Sequence, residues 1–433
     1  MLLERTSLGS KLLVCAGLVV YLYLCAKTMT EHAQVDFFIF RTGSQLALDG
    51  FPPYVPALVQ ARVADQFRPE KEDDVANQCG FFLPPQAIVF FLPFAKMDWW
   101  QAQGLWFFFL TGMGILAGLL AYSFGRAKER QGRGWALVAI VVLLNPITLP
   151  TMVVGQTGLL FLGCIAMGQY AFENECPRLG TFLWSITFIK PHIALPFLIL
   201  AWVLGGWRRA AGIMICVALW NLCGGLIVTG NVEGAIRFFQ FYVEFVGAAH
   251  KTVKFNLVAE NFQILSWNRM LVASGGPAVD LKIWMTLTGF FVWGSLIYSR
   301  MRLGTVRLDQ AYLVAATAVG ALLFAQVLAY EMILLAFVAP LILQHFDANR
   351  KRDAYVLIAL LLFLMLPMNL TDQLADRFGF EEMSRPRILM RSHKCFGIAA
   401  LAIWLLIRGP GASNMARLIS GRSQSSVPDE PVK

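Results

Sequence analysis

Long apolar runs separated by short, mostly basic connections set the rhythm of this chain. Runs at about 12–25, 99–123, 134–153, 156–172, 211–229, 280–299, 311–328, 331–346, 354–370 and 394–408 approach or reach the ~20 residues that carry a helix across ~30 Å of hydrocarbon. The runs are continuous rather than alternating, which excludes a β-barrel. The run at 81–95 has 15 residues, ~22 Å as a helix, and Pro84, Pro85 and Pro93 interrupt it. It reads as a re-entrant or interfacial segment. The stretch 179–206 reads as two short halves split at Pro191, with Lys190 and His192 at the bend. The pattern predicts an all-α polytopic membrane protein with roughly twelve crossings.

Charge placement supplies the orientation. Glu31 to Gly80 holds eight acids and four bases and is expected outside. The basic turns at Arg126–Arg133, Arg208–Arg209, Arg300–Arg307 and Arg350–Arg352 are expected inside. Arg385, Arg387, Arg391 and Lys394 depart from that bias; they read either as headgroup contacts or as an error in the order of crossings nearby. Residues 1–410 form one transmembrane unit with large external loops at 31–80 and 230–279, and 411–433 reads as a disordered cytoplasmic tail.

Composition agrees and narrows the function classes. Hydrophobic residues make up 57% of the 433 and charged residues 15%, with a mean hydropathy of +0.60, against roughly 25% charged in soluble domains. A soluble single-core enzyme is excluded. The net charge of +9 sits in inside-facing turns rather than in one patch, so it carries no nucleic-acid reading. Eight cysteines show no CxxC pair or metal-ligand spacing. No Walker-type loop, HExxH or GxSxG signature is present, so neither a nucleotide nor a metal cofactor is expected.

Both external loops carry aromatic helical patterns. Gln34 to Leu48 places Phe37, Phe40, Ser44 and Leu48 near one face, and Asp49-Gly50 stops it. Glu233 to Val246 carries Phe238, Phe239, Phe241, Tyr242 and Phe245. Amphipathic helices lying on the membrane surface suit a protein that handles lipid-borne substrates there.

Under this topology several polar residues gather at the external ends of helices. Asp36 follows the first span, Gln156 lies at a hairpin, Lys190 and His192 share a bend, and Tyr330-Glu331 marks another turn. Each has a plainer reading: a solvated acid, a turn residue, a snorkelling lysine, a helix-end histidine. Glu331 is the hardest to dismiss, because ionisable groups at membrane depth are costly and usually functional. Lys251, Lys254 and Arg269 are external bases suited to phosphate or simply solvated.

Val35-Asp36-Phe37-Phe38-Ile39-Phe40, Phe51-Pro52-Pro53-Tyr54, Phe82-Leu83-Pro84-Pro85, Val154-Gly155-Gln156-Thr157-Gly158 and Ile189-Lys190-Pro191-His192 resemble, in order and spacing, glycosyltransferase family 87. The resemblance runs over most of 30–350. It implies a GT-C type bundle like that of the mannosyltransferases that extend phosphatidylinositol mannosides. It also implies a sugar donor carried on a polyprenyl monophosphate, and inverting transfer to a lipid or glycan hydroxyl on the external face of the plasma membrane. Asp36 is the position matching the family's general base. Lys190, His192 and Arg269 are assigned to the donor phosphate, and Gln156, Tyr330 and Glu331 to sugar or acceptor. Glu331 stands where the resembled members carry a histidine, which leaves sugar and acceptor open, with mannose the default. A transporter or flippase of lipid-linked sugars is the alternative reading.

Overall fold

The computed structural model describes residues 12, 15–17, 19–23, 34–66, 80–121, 147–252, 264–276, 283–302, 310–325, 327–381 and 384–408. The expected span at 134–153 up to residue 146, most of the first span and the tail at 411–433 lie outside the described residues. In chain order the helices are α1 (Val35–Leu48), α2 (Pro56–Gln66), α3 (Pro85–Ala95), α4 (Trp99–Ala121), α5 (Thr148–Val154), α6 (Gly158–Glu173), α7 (Pro177–Ile186), α8 (Pro191–Thr229) and α9 (Val232–Thr252). After a two-residue strand β1 (Ile264–Leu265) come α10 (Trp267–Ala273), α11 (Ile283–Arg302) and α12 (Gln310–Phe324). Strand β2 (Val327–Leu328), a 3-10 helix (Ala329–Val338), α13 (Ala339–Asp347), α14 (Lys351–Leu364), α15 (Met368–Arg377), α16 (Arg385–Arg391) and α17 (His393–Arg408) complete the order.

Two of these helices, α4 and α8, are long and apolar enough to cross a bilayer, and up to five spans result if each bent helix pair counts as one. Twelve crossings are therefore an expectation that the described residues leave unconfirmed. The 39 residues of α8 would run ~58 Å if straight, nearly twice a hydrocarbon core. Gly206, at φ 73° and ψ 176°, breaks it into a shorter first piece and a longer second one with a backbone that only glycine adopts readily. The segment after β2 gains length differently. Its ten-residue 3-10 stretch rises ~2.0 Å per residue, so with α13 it covers the distance of a full α-helical span.

The core sits around α6 and α12, apolar on every face and buried almost throughout, as expected of helices wrapped by others. α4 and α7 pack on α6, while α8, α17 and the 3-10 segment pack on α12.

Several contacts establish which helix ends lie together. The Arg209 guanidinium stacks 4.0 Å from the Phe172 ring, Gln169 Nε2 donates to Gln310 Oε1 at 2.8 Å, and Arg350 reaches the Arg408 carbonyl at 3.3 Å. The ends near residues 172, 209 and 310 thus share one side, and the start of α14 meets the end of α17. The bases at Arg385–Lys394 lie at the other end of α14 and α17, where Arg387 pairs with Asp376 at 2.7 Å and Arg391 with Asp372.

Two expectations about the loops change. α1 does not lie on a surface: Phe37 to Ser44, Leu46 and Ala47 are all buried, and only its end at Leu48 is exposed. Its polar side chains serve α3, a helix of 11 residues that is too short to cross. Arg41 donates to the Phe94 and Met97 carbonyls, Ser44 to Ile88 and Gln45 to Ala95; those of Phe94 and Ala95 are among the last four of α3, which an α-helix leaves without an i+4 partner. On α9 the aromatics divide. Phe238 and Tyr242 are buried against Tyr54, and Phe239 and Phe241 stay exposed.

Candidate active site

The chain passes from α5 to α6 through a 116° bend built on Gly155 and Gln156. Gly155 caps α5 in the left-handed conformation, φ 75°, and α1 approaches so closely that a Cβ there would lie 2.6 Å from Phe37 Cβ and 2.9 Å from Gln34 Cβ. Three bonds or contacts therefore fix this turn against α1 and α4: the tight Gly155 approach, Gln34 Nε2 donating to the Met152 carbonyl at 2.9 Å, and Trp106 Nε1 donating to the Gly155 carbonyl at 3.0 Å.

From this turn a line of polar side chains crosses the protein. Gln156 Nε2 donates to Asp36 Oδ2. Lys190 Nζ donates to Gln156 Oε1 at 2.7 Å and pairs with Glu331 Oε1. Gln156, Lys190 and Glu331 are buried, whereas Asp36 is partly exposed. Each comes from a different element: the first turn of α1, the α5–α6 turn, the bend before α8, and the start of the 3-10 segment. Strand pairing of Ile264 with Leu328 and Leu265 with Val327 anchors the stretch that leads into Glu331.

α1 has 14 residues, ~21 Å, and does not span. Burial is the main influence on the Asp36 carboxyl and raises its pKa to about 6; the Gln156 hydrogen bond and the Lys190 charge pull it down, and Glu331 pushes it up. A carboxylate with that proton affinity is well matched to taking a proton near neutral pH.

The remaining residues singled out by sequence lie elsewhere. His192 is exposed in the first turn of α8, two positions past Lys190. Tyr330 stands beside Glu331 in the 3-10 segment, with its side chain outside the described residues. Arg269, on α10, is buried and donates through Nε to Ser392 Oγ, between α16 and α17, at 3.2 Å. Burial lowers its pKa. Lys251 and Lys254 fall where side chains lie outside the described residues. Sequence reasoning missed Gln34 and Trp106. An indole N–H in the middle of an apolar span needs a buried acceptor, and that was the available signal for Trp106. Among the described residues no three His, Cys, Asp or Glu side chains converge to hold a metal ion.

An apolar groove lined by Pro196, Leu200 and Val203 of α8 and by Phe290, Trp293 and Ile297 of α11 lies further along α8 than Lys190. None of the four polar side chains lines it.

A family model described as glycosyltransferase family 87 matches residues 81–367. The match takes in Gln156, Lys190 and Glu331 and begins beyond Asp36. No curated protein and no solved structure matches the chain.

Proposed function

The chain belongs to glycosyltransferase family 87, and from that membership we propose that it moves a hexose from a polyprenyl monophosphate to a hydroxyl of a lipid or glycan acceptor at the external face of the membrane. It is a glycosyltransferase; nothing favours the transporter alternative. Donor, sugar, acceptor and side all belong to this proposal, with mannose as the default sugar.

One observation carries that reading: Asp36, a half-buried residue, stands at the end of a buried line of Gln156, Lys190 and Glu331. In the proposed reaction Asp36 accepts the proton of the acceptor hydroxyl as its oxygen bonds to the anomeric carbon. The bond from that carbon to the phosphate oxygen breaks, and polyprenyl phosphate leaves with the electron pair. Phosphate is a good leaving group, so it needs positive charge nearby rather than a proton donor. The exposed His192 imidazole is proposed for that task. Arg269 is left out, because it is buried against Ser392, between α16 and α17.

A single displacement inverts the anomeric centre; retention would need a second carboxylate acting as nucleophile. Glu331 does not suit that role, since its carboxylate is buried on Lys190. The external side is supported by charge placement. Glu331 opens a segment that runs to Arg350–Arg352, and Lys190 lies across the first half of α8 from Arg208–Arg209, so the polar line sits at the end opposite those basic turns. The apolar groove along α8 and α11 suits the aliphatic chain of a lipid-borne donor.

The experiment is transfer by purified protein from radiolabelled polyprenyl-phosphate mannose, and from the glucose and galactose analogues, to total membrane lipids. The expected result is release of free polyprenyl phosphate with appearance of a labelled, configuration-inverted glycolipid, lost in Asp36→Asn. Full turnover by folded Asp36→Asn removes Asp36 from the mechanism.

A further inference from the structure

The Lys190 ammonium is committed inside the protein. Its Nζ donates to Gln156 Oε1 at 2.7 Å and pairs with Glu331, and the two charged side chains are only 8% and 4% exposed. Glu331 has a second neighbour as well. A Cβ on Gly158 would sit 3.9 Å from Glu331 Oε2, so that oxygen lies beside the first turn of α6, where the helix dipole favours a negative charge.

An amide is asymmetric, with a carbonyl that only accepts and an NH2 that only donates, and an ammonium can only donate. Lys190 on one end of Gln156 therefore dictates what the other end presents. With the carbonyl turned to Lys190, the NH2 faces Asp36, which as a carboxylate can only accept.

We propose that the Lys190–Glu331 pair fixes the Gln156 amide with its NH2 towards Asp36, making Gln156 and Lys190 positioning residues for the base rather than ligands of sugar or donor phosphate. The inference rests on the reading of Asp36 as the base. The turn that carries Gln156 cannot drift, because Gly155 is wedged against Phe37 and Gln34 and its carbonyl is bonded by Trp106. With one Asp36 oxygen taken by Gln156, the other is directed to the acceptor hydroxyl. A loose amide could swing its carbonyl towards Asp36 and favour the protonated, inactive acid.

The test needs no substrate. Infrared titration of the detergent-purified full chain reads the protonated carboxyl band of Asp36, assigned by its loss in Asp36→Asn. Lys190 and Glu331 are the charged groups that act on Asp36, so the substitutions have opposite signs. Gln156→Met and Lys190→Met are expected to raise the midpoint by about half a pH unit or more, and Glu331→Gln to lower it. Lys190→Met risks misfolding because it strands a buried carboxylate; Gln156→Met and the doubly neutral Lys190→Met/Glu331→Gln do not carry that hazard.

The second readout is binding of polyprenyl phosphate itself to the Lys190→Met/Glu331→Gln protein, expected within twofold of the wild type. A midpoint unmoved in Gln156→Met, or binding weakened tenfold in the double variant, would overturn the proposal. The latter result would return Lys190 to the donor phosphate. Neither result touches the role of Asp36, which stands or falls on transfer by Asp36→Asn.

Discussion

Two ion pairs in this protein have nearly the same chemistry and opposite circumstances. Glu233 and Arg237 lie one turn apart on α9, each 75% exposed. Lys190 and Glu331 are 141 residues apart and nearly fully enclosed. The first pair follows from local spacing, is screened by solvent, and adds only ~0.3–0.5 kcal/mol. The second can exist only because two distant elements, the bend before α8 and the 3-10 segment, fold together. Removing one partner would leave a charge without water, at ~3–5 kcal/mol. A protein keeps such a costly pair inside an apolar bundle where position matters more than stability, and the side chain it positions here points to Asp36.

The largest expected effect is on turnover. Asp36→Asn should lower sugar transfer by about 10²–10⁴-fold while the protein stays monodisperse. Its stability should move the other way. The Asp36 pKa rises from 3.8 to about 6 on folding, so the acid stabilises the fold below pH 3.8, and that contribution is lost as pH rises through 6. At pH 7.5 the asparagine variant should therefore melt above the wild type, with the difference fading in acid. A lower melting temperature at pH 7.5 would mean that Asp36 is a structural anion.

Next in size, Lys190→Met should destabilise by ~3–5 kcal/mol, and adding Glu331→Gln should recover most of that loss. Denaturant or thermal melts of the three proteins measure it; simple additivity would break the contrast with α9. Gly155→Ala should cost ~1–3 kcal/mol through its positive φ and the blocked approach to α1, with transfer reduced because Asp36 is displaced. Smallest of all, Glu233→Ala and Arg237→Ala should each shift stability by less than ~0.5 kcal/mol and leave transfer intact.

The two pairs also mark what could be read from sequence. Local signals worked where a backbone rule was strong. The end of α1 at Asp49-Gly50, the bend before Pro191 and the break near Arg208 each followed from glycine, proline or charge. That Asp36, Gln156, Lys190 and Glu331 belong at one end was also legible, from charge bookkeeping alone. Their hydrogen bonds were not, because nothing in a one-dimensional pattern says that Lys190 meets a carboxylate 141 positions away.

α1 was misplaced for a related reason. An apolar helix buried by protein and one lying in headgroups have the same composition, and only the partners in α3 distinguish them. Arg269 reads in the sequence as an external base, whereas the structure buries it against Ser392, between α16 and α17. The 3-10 geometry at Glu331 left no mark in the periodicity of so uniformly apolar a run.

The central claim, that a carboxylate of unusually high proton affinity removes the acceptor proton, is met most directly by the pH dependence of transfer at limiting substrate in the wild-type protein. The rate should be level above neutrality and fall about tenfold per unit below an inflection near pH 6, as Asp36 takes up its proton. A rate that holds steady from pH 7.5 down to 5 in a protein that remains folded would contradict it.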